Sequence, residues 1–125
     1  MSQVLVVEDD PNIRKFVSIN LRVRGFDVVE ASTAEIGFFI IQQRAPDMLL
    51  LDLQLPGMSG LDLLKLLDGD RFDFPVVILS AWAHGQEYTL KTFHKQVVDV
   101  LTKPVGIEQL LLSVHEALWP DSRSQ

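Results

Sequence analysis

Apolar residues fall along this chain in short blocks, and polar residues stand where each block stops. Val4-Leu5-Val6-Val7 is a fully apolar, largely β-branched run, as in a parallel strand buried on both faces. It ends in Glu8-Asp9-Asp10-Pro11, where Asp10 suits a helix N-cap and Pro11 the first helical position. Over residues 11–24, Ile13, Phe16, Val17 and Leu21 recur at helical spacing, and Gly25 suits the position just past the helix end. Residues 26–30 alternate as a more exposed strand. Ser32 or Thr33 then caps a second helix, expected from Ala34 to Arg44 and stopped by Ala45-Pro46.

The next block is the centre of the chain. Met48-Leu49-Leu50-Leu51 runs straight into Asp52, and a loop with one Pro and two Gly follows through Gly60. Asp is seldom buried without a partner, so Asp52 is expected at the carboxyl end of a central strand, its side chain at the mouth of a crevice. Ser59 is a fair N-cap for a third helix carrying Leu61, Leu63, Leu64, Leu66 and Leu67. Gly69-Asp70 ends that helix, and residues 72–74 read as connector. Residues 75–80 form a fourth buried strand ending in Ser80. A fourth helix is expected over about 85–93, with the weakest pattern of all. A fifth strand over 97–101 ends in Thr102-Lys103-Pro104. Ile107, Leu110, Leu111, Val114 and Leu118 make the last helix, and residues 121–125 are a polar tail or the start of a linker.

Five strands alternating with five helices give one domain over residues 1–120. Crossovers of this length force parallel pairing with right-handed units. The expected fold is a flavodoxin-like, doubly wound five-stranded α/β sheet in the order 2-1-3-4-5.

Composition then narrows the chemistry. The 125 residues suit one domain and contain no Cys, which removes disulfides, thiolate metal sites and Cys nucleophiles. A formal charge of −6 argues against nucleic-acid binding by this segment. The first apolar run is too short for a signal peptide or a membrane span, so a cytoplasmic location is the default expectation.

In the expected strand order, Glu8 and Asp9, Asp52, Ser80 and Lys103 all converge on one crevice. Three carboxylates in a small volume need a cation. Oxygen ligands without Cys or His point to Mg²⁺ or Mn²⁺, which often share their shell with a phosphoryl group. A Lys for a second anion, a hydroxyl donor and a free carboxylate complete a set suited to phosphoryl transfer onto Asp52. Taken singly, strand-end Asp residues often only cap helices or close turns. Asp10 is read that way.

These residues resemble the receiver domain of two-component response regulators over residues 3 to about 119. Val4-Leu5-Val6-Val7-Glu8-Asp9-Asp10-Pro11 is similar to its first strand and acidic cluster. Residues 50–60 are similar to its phosphoacceptor loop, Leu79-Ser80-Ala81 to its Ser/Thr-Ala element, and Leu101-Thr102-Lys103-Pro104 to its Lys-Pro element. The resemblance implies that Asp52 takes a phosphoryl group from a phosphohistidine donor, a sensor histidine kinase or a histidine phosphotransfer protein. It implies that Asp9 binds Mg²⁺ directly and Glu8 through water, with Asp52 and the Gln54 backbone carbonyl as the other protein ligands. Lys103 would pair with phosphoryl oxygens and precede a cis peptide bond to Pro104. Ser80 would move toward the phosphoryl group and pass the signal on. The product is a phosphoprotein switch with slow self-dephosphorylation and no separate substrate, so no enzyme in the ordinary sense.

The chain departs from the family pattern where the relay should lie. Val100 stands at the usual aromatic position, Gln96-Val97 where a Gly-Ala pair is common, and Val105 where Phe is common. Another aromatic, Trp82 or Tyr88, or a different output route is expected instead. Trp82, two residues past Ser80, is expected to limit water access to the phosphoryl group.

Three other readings compete. A phosphate-independent receiver-fold binding module would not need the intact polar set. An aspartate-nucleophile phosphatase would usually carry a second Asp two residues after the nucleophile, where this chain has Gln54. A flavodoxin-type flavin carrier would use a Ser/Thr- and Gly-rich phosphate loop, whereas this first loop is Glu-Asp-Asp.

The surface offers further signals. On a helical wheel, Ala34, Gly37, Phe38, Ile41 and Ala45 face the sheet, while Ile36, Phe39 and Ile40 fall opposite. That apolar outer face is expected to be a docking or dimer surface; Leu112 and Trp119 are a milder version on the last helix. Arg14, Lys15, Arg22 and Arg24 make a basic stripe on the first helix, read as a solvated face or, by the resemblance, a kinase contact. His84, His94 and His115 lie far apart and suit surface or cap roles.

Overall fold

The computed structural model describes residues 2–69, 71–81, 90–91 and 94–120. Five parallel strands, β1 (Gln3–Val7), β2 (Asp27–Ala31), β3 (Met48–Asp52), β4 (Val76–Ser80) and β5 (Val97–Thr102), form one sheet in the order β2-β1-β3-β4-β5. Four helices are described: α1 (Pro11–Val23), α2 (Ala34–Gln43), α3 (Gly60–Leu67) and α4 (Ile107–Leu118). The helix expected over 85–93 falls mainly outside the described residues, although Leu90 and Lys91 are helical and Leu90 is buried. Trp82, His84 and Tyr88 also lie outside them.

Alternation along the strands divides the core between two faces. Leu5, Val7, Leu49, Leu51, Val76 and Ile78 point to one side, where Ala34 and Ile41 of α2 and Leu63, Leu64 and Leu67 of α3 cover them. Val4, Val6, Leu50, Val77 and Leu79 point to the other, against Val17 and Leu21 of α1 and Leu110, Val114 and Ala117 of α4. Both faces of β1, β3 and β4 are therefore dry, which is why these strands are apolar without a break.

The helix starts follow the sequence closely. Asp10 accepts hydrogen bonds from the Asn12 and Ile13 amides, Thr33 caps α2, and Ser59 and Asp62 form a reciprocal capping box on α3. Three expectations change. Phe72 and Phe74 are more than connector: both are buried, and Phe72 packs edge-on against Phe38. Ala45 is exposed instead of facing the sheet. Ile40 is half-buried against the core and does not stand on the outer face of α2, where Ile36 and Phe39 are 46% and 61% exposed.

The β4–β5 edge carries an irregularity that the sequence does not announce. Val76 pairs with Val97 but Val77 with Asp99, so Val98 is displaced and 43% exposed. The bulge brings the Asp99 carboxylate to the buried Ser113 hydroxyl of α4, which donates to it at 2.7 Å. Asp99 also accepts from the Val100 amide at 2.9 Å.

Candidate functional site

Each candidate side chain is delivered by the end of a strand. β1 stops at Val7 because the next residues are charged, and the Glu8 amide is held by the Ala31 carbonyl at 3.1 Å. Glu8 is fully buried and Asp9 exposed. On the neighbouring strand, Asp52 is 2% exposed. It therefore lies deeper than the mouth of a crevice, and its burial requires the pairing seen here. Its Oδ1 accepts from the Gln54 amide at 3.0 Å, and Lys103 Nζ lies 3.1 Å from Oδ2. The same ammonium is 2.6 Å from Glu8 Oε1. The Lys103–Pro104 peptide bond is cis, as the resemblance implied. Ser80 is buried at the end of β4, and its carbonyl receives the Lys103 amide at 2.9 Å.

Glu8, Asp9 and Asp52 bring carboxylate oxygens within 4.8 Å of one another. The charges interact strongly. Burial pushes the Glu8 carboxyl up to about 7, more than the Lys103 ammonium and the Asp10 amide pull it down, and the Asp52 carboxylate adds to the rise. Burial lowers the Lys103 pKa, but hydrogen bonding and attraction from Glu8 and Asp52 outweigh it, so the net shift is upward and the ammonium stays charged.

This donor set fits a small hard cation. The carboxylate oxygens of Glu8, Asp9 and Asp52 lie close enough together for one divalent ion to be shared among them. Glu8 Oε1 is buried and faces the Lys103 ammonium at 2.6 Å, with no further protein donor on it among the described residues. With all three carboxylates ionised, one Lys leaves an excess of two negative charges. A divalent ion cancels that excess.

Two residues at this site carried no signal of their role in the sequence. Arg14 read as part of a basic stripe, yet its Nη1 donates to the Glu8 carbonyl at 2.8 Å and lies 3.4 Å from the Asp9 carbonyl. Arg14 and Arg22 both pair with Glu30 on β2, so half of the stripe is engaged and only Lys15 and Arg24 fit the solvated reading. Gly60 read as loop. A Cβ there would lie 2.5 Å from the Asp52 carbonyl oxygen and 2.6 Å from Leu53 Cα. Only glycine lets α3 begin this close to the end of β3. Neither histidine among the described residues belongs to the site: His94 pairs with Asp68, and His115 lies beside Trp119.

The fold and these strand ends define a class first: a doubly wound α/β domain with an acidic, Lys-bridged site where the strand order reverses. The sequence model of the response regulator receiver domain matches residues 4–115. Over 118 residues the chain is 36% identical to the transcriptional regulatory protein KdpE of Mycobacterium tuberculosis, covering 94% of this chain and 51% of that protein. It is 36% identical over 120 residues to the DNA-binding regulator RpaA of Synechocystis, with 94% and 49% covered. The chain thus spans about half the length of the curated relatives it matches. Among solved structures, the receiver domain of the Francisella response regulator 1452 superimposes with a TM-score of 0.85 at 28% identity, covering 98% of this chain and all of that one. The Thermotoga maritima response regulator TrrA, solved with Mg²⁺ and beryllium fluoride, gives a TM-score of 0.82 at 25% identity over 94% of this chain and 100% of its own. The chain belongs to the response regulator receiver family.

Proposed function

We propose that this domain is a phosphorylation-controlled switch in a two-component phosphorelay, with Asp52 as the phosphoacceptor. One observation carries the reading. A buried Asp52 meets the Lys103 ammonium at 3.1 Å, beside the Glu8 and Asp9 carboxylates.

In the transfer, a carboxylate oxygen of Asp52 attacks the phosphorus of a phosphohistidine. The P–N bond breaks, and its electron pair leaves with the donor nitrogen. Lys103 neutralises phosphoryl oxygens and fixes the acyl phosphate in place. Glu8, Asp9, Asp52 and the Gln54 carbonyl would hold Mg²⁺, which offsets the charge on the transferring group. The Ser80 hydroxyl then hydrogen-bonds the new phosphoryl oxygens and draws the end of β4 inward, biasing the output surface. Water later cleaves the acyl phosphate slowly and restores Asp52. The domain modifies itself and turns over no second substrate.

Partner contacts follow from the exposed faces. Phe16, Ile19 and Val23 on α1 are 40%, 46% and 75% exposed at helical spacing, beside Lys15, which makes α1 the docking face for the kinase or phosphotransfer protein. Ile36 and Phe39 on α2 offer a second contact for a partner or another copy. Among the described residues no helix is long and apolar enough to cross a membrane, and a cytoplasmic receiver over residues 1–120, followed by a tail or linker, suits the phosphorelay role.

Incubation with a small phosphodonor and Mg²⁺, followed by intact-mass spectrometry, tests the reading. The wild type gains one phosphoryl group, and omission of Mg²⁺ or the substitution Asp52→Asn abolishes the gain. No gain on the wild type would favour a phosphate-independent binding module.

A further inference from the structure

The guanidinium of Arg14 stands in an unexpected place. As a bare positive charge beside the acidic Glu8-Asp9 loop it would oppose a divalent cation. Its geometry gives it a different task. Arg14 lies in the first turn and a half of α1, where a long side chain points back toward the helix start. There Nη1 reaches the Glu8 carbonyl at 2.8 Å and the Asp9 carbonyl at 3.4 Å. Nε faces Glu30 Oε1 at 3.4 Å. Glu30 offsets part of the charge and orients the planar group, and Arg22 anchors Glu30 from the other side at 3.1 Å. Arg22 itself bonds the Val28 carbonyl, on β2, and makes no contact with the acidic loop among the hydrogen bonds and ion pairs described.

We propose that Arg14 is the positioning residue of the acidic loop: it grips the main-chain oxygens of Glu8 and Asp9 and so holds their carboxylates for a divalent cation. The inference rests on the metal-binding role proposed above. The loop is also tied by the Glu8 amide to Ala31, by the Asp10 amide to Glu8 Oε2, by Lys103 on the Glu8 carboxylate and, at its far end, by the Asp10 cap on α1. The Asp9 carbonyl shares its peptide with the Asp10 amide, so Arg14 and Glu8 Oε2 hold that peptide from its two sides, and Arg14 alone among these bonds reaches the Glu8 carbonyl. An Arg suits the task because one rigid fork serves two carbonyls and a carboxylate at once.

Isothermal titration with Mg²⁺ tests this on the wild type and on Arg14→Gln, Arg14→Lys and Arg22→Gln, with melting temperatures in EDTA reading fold stability separately. Arg14→Gln raises the Mg²⁺ Kd roughly 10- to 100-fold, the usual loss when a partner behind a metal ligand is removed. Arg14→Lys keeps the charge but recovers only part of the affinity, and Arg22→Gln, which reaches the loop only through Glu30 and Arg14, loses clearly less than Arg14→Gln. Should Arg14→Gln fail to fold, Arg14→Lys decides, and a wild-type Kd there overturns the proposal. Unchanged or tighter binding by folded Arg14→Gln also overturns it, as does an equal loss in Arg22→Gln. If the wild type itself binds no Mg²⁺, the metal-binding reading falls and takes this one with it. Wild-type binding with unaltered variants removes the Arg14 role alone.

Discussion

Glu8 is the residue on which the site's pH behaviour turns. Burial lifts its pKa from 4.5 to about 7. Between those values the folded chain holds a proton that the unfolded chain has released, so this group's contribution to metal-free stability falls as pH rises from about 4.5 to about 7 and levels off above. A metal ligand must be ionised, so Mg²⁺ affinity moves the other way and climbs across neutrality. Melting curves in EDTA and Mg²⁺ titrations at pH 6 and pH 8 read the two trends; Glu8→Gln removes the stability trend, and parallel curves for both proteins contradict the assignment. Gly60 sets a steric limit at the same place. Its substitution by Ala drives a Cβ into the Asp52 carbonyl, with no flexible side chain to yield. The expected cost is roughly 1–3 kcal/mol of overpacking, with reduced phosphoryl acceptance at Asp52. Gly25→Ala, at φ +90° with open space around it, strains its own turn and leaves acceptance intact. Denaturant unfolding and the mass assay separate the two.

At the scale of elements, α2 carries the clearest surface prediction. Its inner face is fixed by Ala34, Gly37 and Ile41, and it leaves Ile36 and Phe39 in solvent. Phe39→Glu is expected to reduce self-association or partner binding, read by sedimentation and titration. A wild-type chain that stays monomeric, with solubility and partner binding unchanged by the substitution, contradicts that surface. The elements themselves were largely legible in the sequence, because fully apolar strands, capping residues and helical spacing act locally. Glu8, Asp9, Asp52, Ser80 and Lys103 were legible for the same reason: each interrupts an apolar run, and topology brings the interruptions together. What was not legible depends on contacts between distant segments. The partial burial of Ile40 depends on how α2 sits against the core. The Val98 bulge depends on how β5 meets both β4 and α4. Arg14 looked like one more surface cation, since nothing in its neighbours reveals a carbonyl on the preceding loop. Gly60 looked like a turn residue, since a close approach of α3 to β3 leaves no mark on the sequence.

For the whole molecule, two dry cores fix the sheet and leave its carboxyl edge as the polar surface where strand ends converge. The rigid scaffold and the site therefore meet along one line, which is where a change at Asp52 can reach β4 and β5. Val100 is buried and carries no ring, so any change that reaches β5 is passed there by an aliphatic side chain. The proposed switch depends on Asp52 itself carrying the phosphoryl group. Borohydride reduction of the chain after treatment with a phosphodonor and Mg²⁺, followed by peptide mass mapping, tests this most directly, because an acyl phosphate is reduced to an alcohol where it forms. Homoserine is expected at position 52 and nowhere else, and none when Mg²⁺ is withheld. Reduction at another carboxylate, or none in the Mg²⁺-loaded chain, would contradict it.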